Sequence, residues 1–411
     1  MAKSKKTSAR RRRGGVSIEA ARDRIAQLRT VAIPIASETE NLNRSLDGEL
    51  RITKAFPKHH VALEVDGETA SQVWVCDLQQ QIGSQVVRMG GIADVATHDD
   101  HRFKGHMRRV LSGALCWMRR EGFDTSMLYG IRSFYPKFGY APAFPRIEFS
   151  MSVRDAEAVR PAGYRFVAFR PEHLRAVLRM YHAHNAGRTG PVRRDAKSWQ
   201  PFRKGRRWHS KAVCKVAVDP TGRPVGYVVY DSEPLTTSVI EVGTAKPAVL
   251  ADLLRAAAHH AWKQRLEHIQ LVLPEDDAFI EFCKPLGLRK KIHYLRDGEA
   301  MVRMINVPGA LKKVAGELAS RMGGSGRLNI RTNLDSVGVV WSRGRLEVAE
   351  PLTGAPSARM PQWALAQLLY GYRSAAGLAA VGMLRGGRAT LKALEEMFPP
   401  TPHFHFCVDY F

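Results

Sequence analysis

The run Arg102-Phe103-Lys104-Gly105-His106-Met107-Arg108-Arg109 gathers basic side chains around one glycine, between the strand-like Ile92-Ala93-Asp94-Val95-Ala96-Thr97 and an amphipathic stretch. Backbone N–H groups at a helix start are unpaired and carry the positive end of the dipole, so they hold anions. Glycine at 105 permits close approach, and Lys104, Arg108 and Arg109 would surround a phosphate with charge. This turn suits a pyrophosphate. The order strand, basic glycine turn, helix, second strand and aromatic elbow between Gly90 and Tyr140 suggests acyl-CoA chemistry.

The elements that would position the turn are legible. Met107, Val110, Leu111, Ala114, Leu115 and Met118 recur at three- and four-residue spacing, which predicts a helix stopped at Glu121-Gly122. Thr125 to Tyr129 has strand character, and Phe134-Tyr135-Pro136-Lys137-Phe138-Gly139-Tyr140 is turn-rich and aromatic. Upstream, Val73 to Gly83 and Val86 to Thr97 read as successive strands around Gly83, and Ile18 to Thr30 reads as a helix presenting Ala21, Ile25 and Leu28 until Pro34 breaks the pattern.

These residues resemble the GNAT N-acetyltransferases: Arg102-x-x-Gly105 after a strand is similar to their acetyl-CoA turn, and Phe134-Tyr135 before Phe138-Gly139-Tyr140 to their acid-bearing loop. From Tyr164 to about Met304 the rhythm repeats, with a helix around Pro171 to His184, strands at Lys211 to Val218 and Pro224 to Asp231, and a helix from Pro247 to Gln264. It resembles a second GNAT fold. Glu241-Val242-Gly243-Thr244-Ala245-Lys246-Pro247 lacks the basic glycine turn, so this copy is expected to have lost the cofactor and to cover the first domain's groove.

A helix opening at Val307, strands at Arg327 to Arg331, Val337 to Trp341 and Arg345 to Ala349, and helices at Gln362 to Gly371 and Arg388 to Phe398 resemble a sterol-carrier-protein-like domain, read as a structural module rather than a lipid tunnel. The chain finishes Phe404-His405-Phe406-Cys407-Val408-Asp409-Tyr410-Phe411, too apolar to be left in water.

The combination resembles the enhanced-intracellular-survival (Eis) type acetyltransferases. The resemblance implies an α/β (α+β) chain of tandem GNAT folds and a sterol-carrier-protein-like domain, divided as a basic tail at 1–15, a catalytic domain at 16–154, a degenerate copy at 155–304 and the last domain at 305–411. It carries acetyl-CoA contacts onto Val95, Ala96 and Thr97, onto Phe103, Lys104, Gly105, His106, Met107 and Arg108, and onto Gly130 and Ile131. It puts the general acid at Tyr135 and the general base at the terminal carboxylate of Phe411, and it implies an assembly of several chains. Met107 departs from the small residue many GNAT turns carry at that position.

With 411 residues, 45% of them hydrophobic, the chain has room for about two to four packed domains. It contains no apolar run of about 18 to 20 residues and no apolar leader, so a cytoplasmic protein is expected. Cys76, Cys116, Cys214, Cys283 and Cys407 are odd in number and far apart, as reduced thiols are. His403-x-His405 lacks a third ligand nearby, so no metal is expected.

The net charge of +24 raises nucleic acid as a partner, but Lys3, Lys5, Lys6 and Arg10 through Arg13 belong to the tail. A second cluster, Arg203-Lys204-Gly205-Arg206-Arg207 between Trp199 and Trp208, offers weak backbone contact or a solvated loop. The leading expectation is acetyl transfer to a primary amine, either an aminoglycoside-like polyamine held by Glu38, Glu40, Asp47 and Glu49 or a lysine side chain. The alternatives are a nucleic-acid-binding protein on a vestigial transferase fold and a lipid carrier using residues 305–411.

Overall fold

The computed structural model describes residues 50–411 apart from 132, 208, 234–237 and 296. The basic tail, the helix expected at Ile18 to Thr30 and the acids Glu38, Glu40, Asp47 and Glu49 lie outside the described residues.

The first part of the chain forms β1 (Leu50–Thr53), β2 (Lys58–Val65), β3 (Glu68–Ile82), β4 (Gln85–Thr97), α1 (His106–Arg120), β5 (Thr125–Ile131) and β6 (Ala141–Phe144). The middle forms β7 (Arg146–Ser152), α2 (Val153–Glu157), β8 (Arg165–Ala168), α3 (Leu174–His184), β9 (Ala212–Val218), β10 (Pro224–Asp231), β11 (Ser238–Thr244), α4 (Val249–Lys263), β12 (His268–Leu271), α5 (Ala278–Cys283), β13 (Arg289–His293) and β14 (Asp297–Met304). The last part forms α6 (Val307–Lys313), α7 (Ala315–Arg321), β15 (Ser325–Arg331), β16 (Ser336–Ser342), β17 (Arg345–Ala349), β18 (Ser357–Arg359), α8 (Gln362–Leu369), α9 (Ala375–Ala380) and α10 (Arg388–Met397).

The strand orders are β1-β2-β3-β4-β5-β14-β6, then β13-β7-β12-β11-β10-β9-β8, then β17-β16-β15-β18. The first two sheets therefore exchange strands. β7, which a boundary at Arg154 assigns to the first domain, pairs with β12 and β13 in the second sheet, and β14, assigned to the second domain, lies between β5 and β6 in the first. Neither copy completes its sheet from its own stretch of sequence, so the boundaries at 154 and 304 need correcting. The exchange fixes the two copies side by side, because each return strand carries a full ladder of backbone hydrogen bonds.

Alternation along β3, β4 and β5 gives the first sheet two dry faces. Val73, Val75, Ile92 and Leu128 face α1, whose Val110, Leu111, Ala114 and Met118 form its buried stripe. Cys76, Met89, Ala93 and Met127 face the other way, into a core continuous with Leu328, Val339, Leu365 and Leu369 of the last domain. That domain therefore closes the first sheet's second face. Among the described residues no helix is long and apolar enough to cross a membrane.

Candidate active site between two parting strands

β4 and β5 run parallel but pair only at Met89–Thr125, Gly90–Ser126 and Gly91–Met127. Beyond Gly91, β4 continues to Thr97 and β5 to Ile131, so their facing edges part and leave a wedge. Opposite β3, the register slips so that Trp74 meets Ala93 while Gln72 meets Ala96, and Asp94 takes φ 46 at the extra residue. Such a bulge bends the strand and leaves backbone groups outside the ladder. Val95, Ala96 and Thr97 form the wall beyond it.

Helix α1 starts at the open end of this wedge. Gly105 caps it at φ 79 and ψ 4, a left-handed conformation that favours glycine, and no side chain caps the helix. A Cβ at Gly105 would meet nothing within 4 Å, so the space before the free N–H groups is open. Lys104 and Arg108 flank it, Phe103 is fully exposed at φ 62, and Met107 packs inward against the α1 core. Arg102 is tied to Asp99 at 2.8 Å. Burial, with His101 and Lys104 adding to it, lowers the His106 pKa, which favours the neutral imidazole beside the turn.

Tyr135 and Phe411 lie on opposite faces of the wedge. Tyr135 begins a short 3-10 turn, Tyr135–Phe138, on the α1 face. Its ring covers Gly130, where an added Cβ would stand 2.1 Å from a ring carbon. Gly130 is thus the floor beneath Tyr135, and Ile131 is exposed at the strand's end. Burial raises the Tyr135 phenol above its ordinary value. Behind it, Tyr140 shares a 2.7 Å hydrogen bond with Ser126, whose hydroxyl donates to the Gly90 carbonyl at 2.6 Å. Arg303 donates to the Phe138 carbonyl and Gln362 to that of Gly139, at 2.7 Å in the latter case, so β14 and the last domain clamp the aromatic elbow.

On the other face the Phe411 ring lies over Gly91, 2.8 Å from where a Cβ would be, with Tyr129 5.4 Å away between ring centres. Tyr410 packs 4.3 Å from Tyr129 and stacks on His405. The Tyr129 hydroxyl is buried with no partner among the described residues, and burial, then Tyr410, push it well above the usual phenol range. Cys76, opposite Gly91 on β3, is pushed up to about 11 by burial against the pull of Lys58 and Lys204. Its thiol is therefore protonated and inert at neutral pH.

Sequence reasoning missed Gly91 and Tyr129; the signal was the strand alternation that puts both on the face the terminus needs. The cluster at 203–207 is part exposed and part engaged: Arg203 and Arg207 face solvent, while Gly205 is buried. Arg206 pairs with Glu148, Arg207 with Glu233 at 3.2 Å, and Lys204 is half-buried near Lys58 and Asp94. His403 and His405 spend their Nδ1 atoms on the Thr401 and Gly190 carbonyls, at 2.9 and 3.1 Å.

Residues 43–143 match the acetyltransferase (GNAT) domain family, and residues 330–405 match the sterol carrier protein domain family. The first part of the chain therefore carries an acetyltransferase domain of the GNAT class. The chain's fold is similar to that of a probable N-acyltransferase of unknown function from Enterococcus faecalis V583, with 17% identity over 86% of this chain and 90% of that one and a TM-score of 0.72. It is similar to a GCN5-related N-acetyltransferase from Kribbella flavida, with 18% identity, 96% of each chain covered and a TM-score of 0.67. It also resembles Eis1 from Mycobacterium abscessus, with 18% identity over 86% of this chain and 90% of that one and a TM-score of 0.59. The GNAT domain thus comes first in the chain and the sterol-carrier-protein domain last, on a fold like that of Eis1. No curated protein matches the chain in sequence.

Proposed function

We propose that the chain transfers the acetyl group of acetyl-CoA to a primary amine, with Tyr135 as general acid and the α-carboxylate of Phe411, the last residue of this sequence, as general base. The observation that carries this reading is the separation of Tyr135 and Phe411 onto opposite faces of the wedge between β4 and β5. Acetyl-CoA would lie on the α1 face, its pyrophosphate at Gly105 to Arg108 and its pantetheine arm along Val95, Ala96 and Thr97. The thioester then reaches the gap at Gly91, and the amine approaches from the Phe411 face.

The chemistry needs both groups. An ammonium must lose a proton before nitrogen can attack the thioester carbonyl, and a carboxylate on the acceptor face takes that proton. Collapse of the tetrahedral adduct breaks the C–S bond, and the departing thiolate takes a proton from a phenol on the donor face. A phenol kept by burial above its ordinary value of about 10 stays protonated at neutral pH, while the thiol it serves ionises at about 8.5 in water. An α-carboxylate titrates at about 3.3 to 3.7 in water and becomes a better base where burial raises that value, and the residue that carries this one has its ring buried over Gly91 and against Tyr129.

The charges that act on Cys76, opposite Gly91, are Lys58, Lys204 and Asp94. Neutral and anionic amines therefore belong in the acceptor panel beside polyamines and lysine peptides. A cytoplasmic assembly of several copies is the setting this reading implies. Its test is a short extension after Phe411, which converts the carboxylate into an amide: turnover should fall by at least about tenfold, within the range general base catalysis contributes, with acetyl-CoA affinity unchanged. An extended protein that is folded, binds acetyl-CoA and acetylates at the original rate would refute it.

A further inference from the structure

The second GNAT copy repeats the first copy's wedge. β11 and β12 run parallel and pair only at Ser238–Gln270 and Val239–Leu271, while β11 continues to Thr244. The register with β10 slips between Val229 and Tyr230, leaving Ile240 as an extra β11 residue, as Asp94 is on β4. In the first copy this gap is the candidate acyl site. In the second, Glu241 stands just past the last β12 pair, fully buried, and it is not alone.

Arg194 lies against it with no exposure. Its Nη1 and Nη2 donate to the two Glu241 oxygens at 2.7 and 2.6 Å, and its Nε and Nη2 donate to both oxygens of Asp409 at 2.9 Å. The guanidinium is sandwiched between the rings of Tyr181 and Trp199, 3.7 and 4.3 Å from their centres. Trp199 Nε1 also donates to Asp409 at 3.1 Å, and the Tyr227 hydroxyl donates to Glu241 at 2.8 Å. Phe404, Phe406 and Val408 pack around this cluster with Val229 and Ile240.

The stretch leading to Arg194 joins the copies. Gly190 donates to the Gln81 carbonyl, Gln81 to that of Pro191 and Arg193 to that of Gln79, at 2.8, 2.9 and 2.7 Å, while Phe404 donates to Thr189 at 2.9 Å. Backbone from β3, from the second copy and from the tail thus meets at residues 189–193, one residue from the guanidinium.

We infer that the wedge of the second copy has become a socket for the C-terminal tail, in which Arg194, held by Glu241, grips Asp409 and thereby positions Phe411 in the wedge of the first copy. Arg194 and Asp409 are positioning residues, and the inference rests on the proposed role of the terminal carboxylate. Phe411 stands two positions beyond Asp409, a tether of about 7 Å at most, so a tail fixed at Asp409 leaves the carboxylate little freedom. A bidentate guanidinium–carboxylate pair fixes orientation as well as distance. Burying the cluster would cost stability if solidity alone were needed, since apolar residues fill such sites equally well.

The test is Asp409→Asn, which keeps the side chain's shape and leaves Arg194 paired with Glu241. Turnover should fall about tenfold or more, as small misplacements of a catalytic group do, with KM for acetyl-CoA unchanged. Arg194→Lys, which keeps the charge and loses the fork, should show the same split between kcat and KM. Trp199→Phe, which removes one donor to Asp409 and keeps the ring, gives a milder loss and serves if the other variants do not fold.

The decisive comparison combines Asp409→Asn with the extension after Phe411. Acting through one carboxylate, the two changes together should cost no more than the extension alone. Full multiplication of their effects, or wild-type turnover in a folded Asp409→Asn protein, overturns the inference. An extension without effect would instead refute the terminal base, which the extended protein with Asp409 intact tests by itself.

Discussion

Gly91→Ala moves the terminal residue without touching it. An ideal Cβ on Gly91 would stand 2.8 to 2.9 Å from three carbons of the Phe411 ring. Carbon atoms rest about 3.5 to 4.0 Å apart, so one partner must withdraw by about 0.7 Å. Gly91 cannot be the one, because its strand is locked on both sides, opposite Cys76 on β3 and Met127 on β5. Phe411 yields, with Tyr410 against Tyr129 limiting the direction. Such overpacking costs about 1–3 kcal/mol of stability, and displacing a reacting group by about 1 Å costs about a hundredfold in rate.

The expected result is therefore a fall in kcat of about tenfold to a hundredfold with the acetyl-CoA dissociation constant unchanged, since the phosphate turn lies at the start of α1, on the other face. Steady-state kinetics with both substrates saturating gives kcat, calorimetry gives the affinity, and a melting curve shows that the protein is folded. Adding Phe411→Leu, which keeps the carboxylate and removes ring atoms, should restore part of the rate. A folded Gly91→Ala protein with kcat within twofold of the original would refute the reasoning, because a terminus that can be displaced without consequence is not the base.

Gly105→Asp should abolish acetyl-CoA binding, by adding a negative side chain where φ is 79 and an anion is expected; undiminished affinity by calorimetry would move the cofactor elsewhere. Tyr135→Phe should lower turnover by about ten- to a thousandfold while the ring keeps its packing over Gly130; an unchanged pH–rate profile would make Tyr135 a packing residue. Burial pushes the His405 imidazole down to about 4, so the unfolded chain, at about 6.5, takes the proton first. Stability is then full above about pH 6.5 and declines by about 3 kcal/mol as pH falls through 4. His405→Asn should flatten that window in urea unfolding, and an identical slope in the variant would exclude His405 as the cause.

The local elements were readable because each carries its own period. Helix α1 shows its stripe in Met107, Val110, Leu111 and Ala114, and the strand pairs around Gly83 and in the last domain show theirs. The strand exchange was not readable. β7 and β14 follow the preceding elements without a break in pattern, and a strand's sequence states that it pairs, not with which sheet. The same limit applies to Gly91. A glycine in a strand signals close approach of something, and only the fold brings Phe411 from the far end of the chain to lie over it.

Arg194 shows where a signal existed and was not used. Read locally, Arg193-Arg194-Asp195 is one more basic stretch in a chain of net charge +24. Read from the terminus, Asp409 is the acid in the run from Phe404 to Phe411, and a carboxylate carried into an apolar core must bring a cation with it. That argument demands a buried Arg or Lys somewhere upstream. The second copy supplies it as Arg194. A fold whose parallel strands part leaves a gap with unpaired edges, and where no ligand enters, the gap must be filled. Filling it with the chain's own tail couples the copies: whatever tightens the socket around Asp409 also sharpens the placement of Phe411 two residues on.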